Sequence, residues 1–378
     1  KMFTNFPYDL QSYRADGLCE IVSKRSELDW PDEIYNAIID IALNHANPDI
    51  EAPNVTKLND KEDMSSEIVQ SNAYNCVRGD ASRAIGSLLW DNKALFDIFK
   101  DTIKKLSEDE NIVIRYASLW SLFPVFNIDK EWASGLIVKV YEGDIRLCCF
   151  HDTRRMFHIL PAQYRDRIYN IIRNCLISNE DNLIRVGAHS LVEMYFVHGA
   201  FEDVISNIEN MNKKQAHYIL EMIIIYYNID KYNNQSKELI LEFANKEVEL
   251  GNAISRIFYD DYLNISRDKD FLLQLVKTKA SKKIISAFIT YLEKSDTSII
   301  EFTDIILMLC KNILDNSIEE LEGIWGIEDN LSKLIINLYD ESLNIDQSIT
   351  FQCMELWDIM FEKQIGSIRK FSKELMDR

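Results

Sequence analysis

The pattern around Arg78 returns twice downstream, and that recurrence constrains this 378-residue chain more than any other feature. In the stretch Asn75-Cys76-Val77-Arg78-Gly79-Asp80-Ala81-Ser82-Arg83-Ala84-Ile85, a hydrophobic residue precedes Arg78, a small residue lies three places after it and an aliphatic one seven places after it. Ile114-Arg115 with Ser118 and Leu122 repeats the spacing, as does Ile184-Arg185 with Ala188 and Val192. The three arginines are 37 and then 70 residues apart, and the second gap is close to two units of about 35 residues. A period of that length, each copy one helical pair, predicts an all-α chain built as an α-solenoid. A helical pair cannot bury its apolar face alone, so the face is covered by the next pair, and the stacked surface is shaped for binding.

The arginines have a structural task in such a stack. With Val77, Ile114 and Ile184 facing the core, the adjacent Arg78, Arg115 and Arg185 reach an acidic or carbonyl group at the preceding turn and tie successive units together. Ligand binding is the lesser reading of these three.

Elsewhere apolar residues fall at helical spacing, as in Leu95, Phe99, Ile103 and Leu106, or Ile168, Ile171, Ile172, Cys175 and Leu176. The run Ile223 to Tyr227 reads as buried helix, because Ala216, Ile219, Leu220 and Met222 lead into it with a helical period. Asn111 before Ile112 and Asp181-Asn182 before Leu183 mark helix starts, while Gly143 and Gly199 mark ends. All six prolines lie at or before residue 161. Between about 44 and 71, Pro48, Pro53 and many polar residues replace the period. The resulting division is an N-terminal helical segment over 1–43, a flexible polar loop over 44–71, and an array of the HEAT or armadillo kind over 72–378.

Charge and cysteine usage narrow the partners. Acidic residues outnumber basic ones 61 to 42, a formal charge of −19, which opposes nucleic acid, where affinity comes from Lys and Arg neutralising phosphates. It opposes anionic membranes too, and no run approaches the ~20 apolar residues of a membrane span. Seven scattered cysteines without a CxxC pair read as reduced buried thiols of a cytoplasmic protein. The chain opens with Lys1 rather than Met, which suggests a fragment of something longer.

No phosphate-binding GxxxxGK[ST], no GxGxxG, HExxH or GxSxG, and no metal spacing among the six histidines is present, so no cofactor, metal or catalytic residue is expected. The acidic pairs Asp260-Asp261 and Glu319-Glu320 read as turns or solvated faces, and the six tryptophans as core. One segment stands out from the acidic background. Arg146, Arg154, Arg155, Arg165, Arg167, Arg173 and Arg185 cluster with His151 and His158, beside Phe150, Met156 and Phe157. On a helix Arg154 and Arg155 each share a face with His158. The weightier reading is a solvated face whose arginines pair with the surplus acids. The sharper one is a protein-binding face built from Arg146, His151, Arg154, Arg155, Phe157 and His158.

Three stretches resemble the HEAT-like C-terminal region of large bacterial STAND-like or NACHT-like P-loop NTPases of defence loci. They are Asn75 to Gly79 with Ala81 and Ala84-Ile85, Asn111 to Arg115 running to Leu122-Phe123-Pro124-Val125-Phe126, and Cys353 to Glu362 with Ile365-Gly366. The resemblance implies a non-enzymatic sensor that recognises a phage or partner protein. The NTPase module would lie upstream in the same chain and oligomerise in the full-length protein. The rival expectations are a stand-alone scaffold joining cellular proteins and a HEAT-like nucleic-acid-binding protein, the latter supported by the basic segment alone.

Overall fold

The computed structural model describes residues 8–48, 65–246, 250–259, 262–295, 297–315, 326–363 and 365. Among them every regular element is helical and no strand occurs. The chain divides into two compact units, 1–194 and 195–378. That partition cuts the interval 72–378 read as one array, and it joins the leading helices to the first unit.

The first unit contains α1 (Tyr8–Lys24), α2 (Asp32–Asn44), α3 (Ser66–Tyr74), α4 (Val77–Asp91), α5 (Phe96–Ser107), α6 (Ile112–Val125), α7 (Lys130–Gly143), α8 (Thr153–Ile159) and α9 (Arg165–Leu176), and α10 (Asp181–His198) carries the boundary. Local chemistry sets the helix ends. The Asn111 carboxamide accepts from the Val113 amide and caps α6, and Asp129 caps α7 through the Trp132 amide. Gly143 ends α7. The helix α3 corrects the expected loop over 44–71: it starts at Ser66, capped by the Ser65 hydroxyl, while 49–64 lie outside the described residues.

Packing in this unit runs chiefly between helices one to three places apart in the chain. The helices α2, α5, α7 and α9 touch in succession, as do α1, α4 and α6, and α5 packs on α6. The recurring positions supply the seam: Ala81, Ile85, Ser118 and Leu122 are all fully buried. Each large apolar side chain removed from water there contributes about 2 kcal/mol. The α4–α6 crossing is close, because a Cβ at Gly86 would stand 2.4 Å from the Trp120 carbonyl oxygen. The Ser82 hydroxyl, one turn earlier, donates to the Ala117 carbonyl at 2.8 Å.

The second unit contains α11 (Glu202–Ile205), α12 (Lys213–Tyr227), α13 (Asn233–Lys246), α14 (Gly251–Ile254), α15 (Ile265–Leu275), α16 (Ser281–Lys294), α17 (Thr303–Leu314), α18 (Ile327–Ser342) and α19 (Gln347–Glu362). The run Ile223 to Tyr227 belongs to α12, as its period predicts, and a reciprocal Asn212–Gln215 capping box starts that helix. Here too each helix meets the next but one: α12, α14, α16 and α18 form one row, and α13, α15, α17 and α19 the other. Aromatic rings fill the space between, with Phe258, Phe288 and Phe302 in a chain of contacts at 5.6 and 6.1 Å.

Candidate functional site

The structure turns the predicted basic face largely inward. Arg154 and His158, one turn apart on α8, both point at Glu193 of α10: Arg154 forms an ion pair with one carboxylate oxygen, and the His158 Nε2 lies 3.2 Å from the other. The Arg154 Nη1 also approaches the His189 Nδ1 at 3.4 Å. Burial alone would raise the Glu193 pKa, but the hydrogen bonds from His158 and Arg154 outweigh it and hold the carboxyl below its ordinary value. Arg146 folds back on Asp144, its Nε at 2.9 Å and its Nη2 at 2.6 Å from the two carboxylate oxygens. Arg167 grips Glu142 in the same two-pronged way.

Phe157 is a correction to the proposed binding face. It is only 4% exposed and packs edge-on against Tyr141 at 5.7 Å. Phe150 and Met156 are buried as well, so the apolar surface expected beside the arginines is core. What the segment leaves in solvent is His151, Arg155, Arg165 and Arg185.

Of the repeat arginines, Arg78 reaches a carbonyl and an acidic group, though neither lies in the turn preceding its own helix. Its Nε donates to the Ala42 carbonyl near the end of α2 (2.8 Å) and its Nη2 pairs with Asp109 in the α5–α6 turn. It therefore joins the end of α2 to the α5–α6 turn. Arg115 reaches the Asp109 carbonyl at 3.4 Å. Val77, Ile114 and Ile184 beside the arginines are buried.

A groove that sequence reasoning missed opens in the first unit between α1 and the α3–α4 turn, with a volume of about 940 Å³. Asp16, Glu20 and Lys24 line it from α1, and Tyr74, Asp80 and Arg83 from the other side. Arg83 is held in place. It pairs with Asp80, donates to the Tyr74 carbonyl at 3.1 Å, and lies over the Tyr74 and Trp120 rings at 5.4 and 5.1 Å. The aromatic partners come from α3 and α6, so no local pattern in the sequence announces them.

In the second unit the fully buried Asp268 accepts from the Arg267 Nε (2.9 Å) and the Asn264 amide (2.9 Å), and pairs with the Lys237 Nζ at 2.8 Å. Burial pushes its pKa up, yet these hydrogen bonds outweigh it and hold the carboxyl at about 2. Such a group stays ionised through the working pH range and serves the packing of α13 on α15.

Thiol chemistry is suppressed. Burial pushes the Cys76 thiol up to about 11, and those of Cys19, Cys149 and Cys353 up to about 12, whereas a nucleophilic cysteine needs a lowered value. All seven cysteines are free. Among the described residues no group of three or more His, Cys, Asp or Glu side chains is placed to hold a metal ion, and no helix is long and apolar enough to cross a membrane. The tryptophans correct the expectation of core: Trp90 is 57% exposed, and Trp30, Trp120, Trp132 and Trp357 are half-buried. Trp325 and the pairs Asp260-Asp261 and Glu319-Glu320 lie outside the described residues. The sequence matches no protein-family model and no curated protein.

Proposed function

We propose that this chain is a helical-repeat module that binds another protein and performs no chemistry of its own. One observation carries the reading: in both units helices pack chiefly on partners one to three places away in the chain, a contact pattern compatible with stacked helical pairs in an α-solenoid. Further support comes from Arg78 of α4, which ties the end of α2 to the α5–α6 turn. The raised thiol pKa values add to it, because they leave those cysteines unsuited to nucleophilic attack.

Within that reading, the module serves as the sensor region of a bacterial defence NTPase. Its occupant is a phage or partner protein, and binding favours the active arrangement of the NTPase only if that arrangement binds the protein more tightly than the resting one does. The surplus of 61 acids over 42 basic residues disfavours nucleic acid as the occupant.

The test is direct. The purified chain should hydrolyse no nucleoside triphosphate and retain no duplex DNA at physiological salt, while the longer protein carrying an NTPase module should show hydrolysis that rises when the partner protein is added. Hydrolysis by the chain alone, or salt-sensitive DNA binding, overturns the protein-binding reading. Partner-independent hydrolysis overturns the sensor role and leaves a scaffold.

A further inference from the structure

The outward face of α19 carries two parallel stripes that nothing described covers. Cys353, Leu356 and Met360 are buried against α17 and α18. On the opposite side Phe351, Met354 and Phe361 stand 65%, 44% and 41% exposed. Their spacing of three and then seven residues places them on one side of a helix. The turn before α19 adds Leu343 and Ile345, exposed by 43% and 67%. Exposed aromatic and aliphatic side chains grouped in this way mark an interaction surface rather than chance surface composition.

The second stripe is acidic. Glu355, Asp358 and Glu362 follow one another at three and four residues, beside the apolar stripe, and all are exposed. Among the described residues no ion pair involves any of the three. Glu362 closes the helix with Asp358 one turn before it, where carboxylates meet the negative end of the helix dipole, and the one basic residue at that end is Lys363 at the C-cap. A cationic partner laid along the stripe would relieve that repulsion.

The row α13, α15, α17 explains the shape of the occupant. Each of these helices is packed by the next but one, so the side of α19 away from α17, uncovered among the described residues, has the shape to take a further helix. We propose that this face binds a basic amphipathic helix of a partner protein. Apolar side chains of that helix, spaced three or four residues apart, would seat on Phe351, Met354 and Phe361, and Lys or Arg beside them would pair with Glu355, Asp358 and Glu362. This deepens the protein-binding reading and rests on it, and it names both the surface and the chemistry of the partner.

The full chain should be titrated with two synthetic helical peptides of about fourteen residues that share Leu at these spacings and differ only in Lys or Glu flanks. The Lys-flanked peptide should bind at least about tenfold more tightly than the Glu-flanked one, and more weakly as salt rises. F351S with F361S should weaken it about tenfold, as should charge reversal at Glu355 and Asp358. Ile177→Ser, which alters a residue 69% exposed in the first unit, should change nothing.

Equal binding of both peptides, or equal loss in Ile177→Ser, overturns the proposal. So does dimerisation of the chain that F351S with F361S abolishes, which gives the face to a second copy. Peptide binding seen only after deletion of 366–378 gives it to the chain's own terminal residues and equally overturns it. If a partner protein binds undiminished by these substitutions, this inference alone fails, whereas a chain that binds neither peptide nor protein loses the broader reading as well.

Discussion

The two units stack helices by different physical means. In the first, α4 and α6 approach until backbone meets backbone: Gly86 leaves no room for a Cβ beside the Trp120 carbonyl, and the Ser82 hydroxyl reaches the Ala117 carbonyl. In the second, Phe258, Phe288 and Phe302 fill the gaps, and buried polar groups fix the arrangement. Asp268 joins Lys237 to Arg267, and the Asn312 carboxamide donates to the Val276 carbonyl at 3.0 Å and the Ser281 hydroxyl at 2.9 Å. Even the close approach at Gly251 first meets the Lys283 Cβ at 2.6 Å rather than a carbonyl. Close packing is sensitive to an added atom, and polar fixation to a removed one. The two helical units therefore carry opposite vulnerabilities.

The sharpest challenge to that contrast is removal of the buried carboxylate. Asp268→Ala leaves Lys237 and Arg267 facing an uncompensated site and should cost about 4 kcal/mol, read from the urea midpoint of the full chain. The pH dependence has a definite sign. Because the folded value is depressed to about 2 from an ordinary 3.8, the stabilisation is complete above the unfolded value. It is lost as pH falls through the folded one. The stability gap between the natural chain and Asp268→Asn should therefore stay constant above about pH 5 and shrink towards pH 2.

Next comes the added atom. Gly86→Ala should cost about 3 kcal/mol, since the new methyl meets a backbone carbonyl that no rotamer change can move. Gly251→Ala should cost a comparable amount at most, because the Lys283 Cβ it meets at 2.6 Å is fixed to its own backbone. A larger loss at Gly251 would dissolve the distinction between the units. Arg78→Met should cost about 2 kcal/mol by stranding Asp109 and the Ala42 carbonyl, and hydrogen exchange should rise at the end of α2 and in the α5–α6 turn. The smallest effect belongs to Arg167→Ala, below about 0.5 kcal/mol, as its pair with Glu142 is well exposed on both sides.

Arg78 was legible only in part: its hydrophobic neighbour fixes which way the helix faces, but its partners Ala42 and Asp109 lie 36 and 31 residues away on other elements. The helix start at Asn111 was legible because it is local, needing only a side chain and an amide two residues on. In the basic segment the weightier expectation, arginines paired with acids, left the partners open. The arginines find Glu142 and Glu193 across 25 and 39 residues, and no count of charges shows which acid will fold against which base. Phe157 was misread for the same reason, since its neighbour Tyr141 lies on another helix. The helix α3 escaped notice because nine residues between polar neighbours give too short a sample of the helical period. The stripe on α19 lay within a segment read as resembling a known family. Yet which of its apolar residues face solvent depends on where α17 and α18 stand.

By itself the sequence determined that the described chain is helical, where many of its helices begin and end, and which side of each is apolar. Those properties follow from side chains within a turn or two of one another, and the period is written directly in the order of residues. The tertiary structure alone decided the pairing of charges, the division at residue 194, the closeness of α4 to α6, and the exposure of Phe351, Met354 and Phe361. These depend on contacts between residues far apart in the chain, where the distance separating two helices, rather than the identity of either residue, sets the energy.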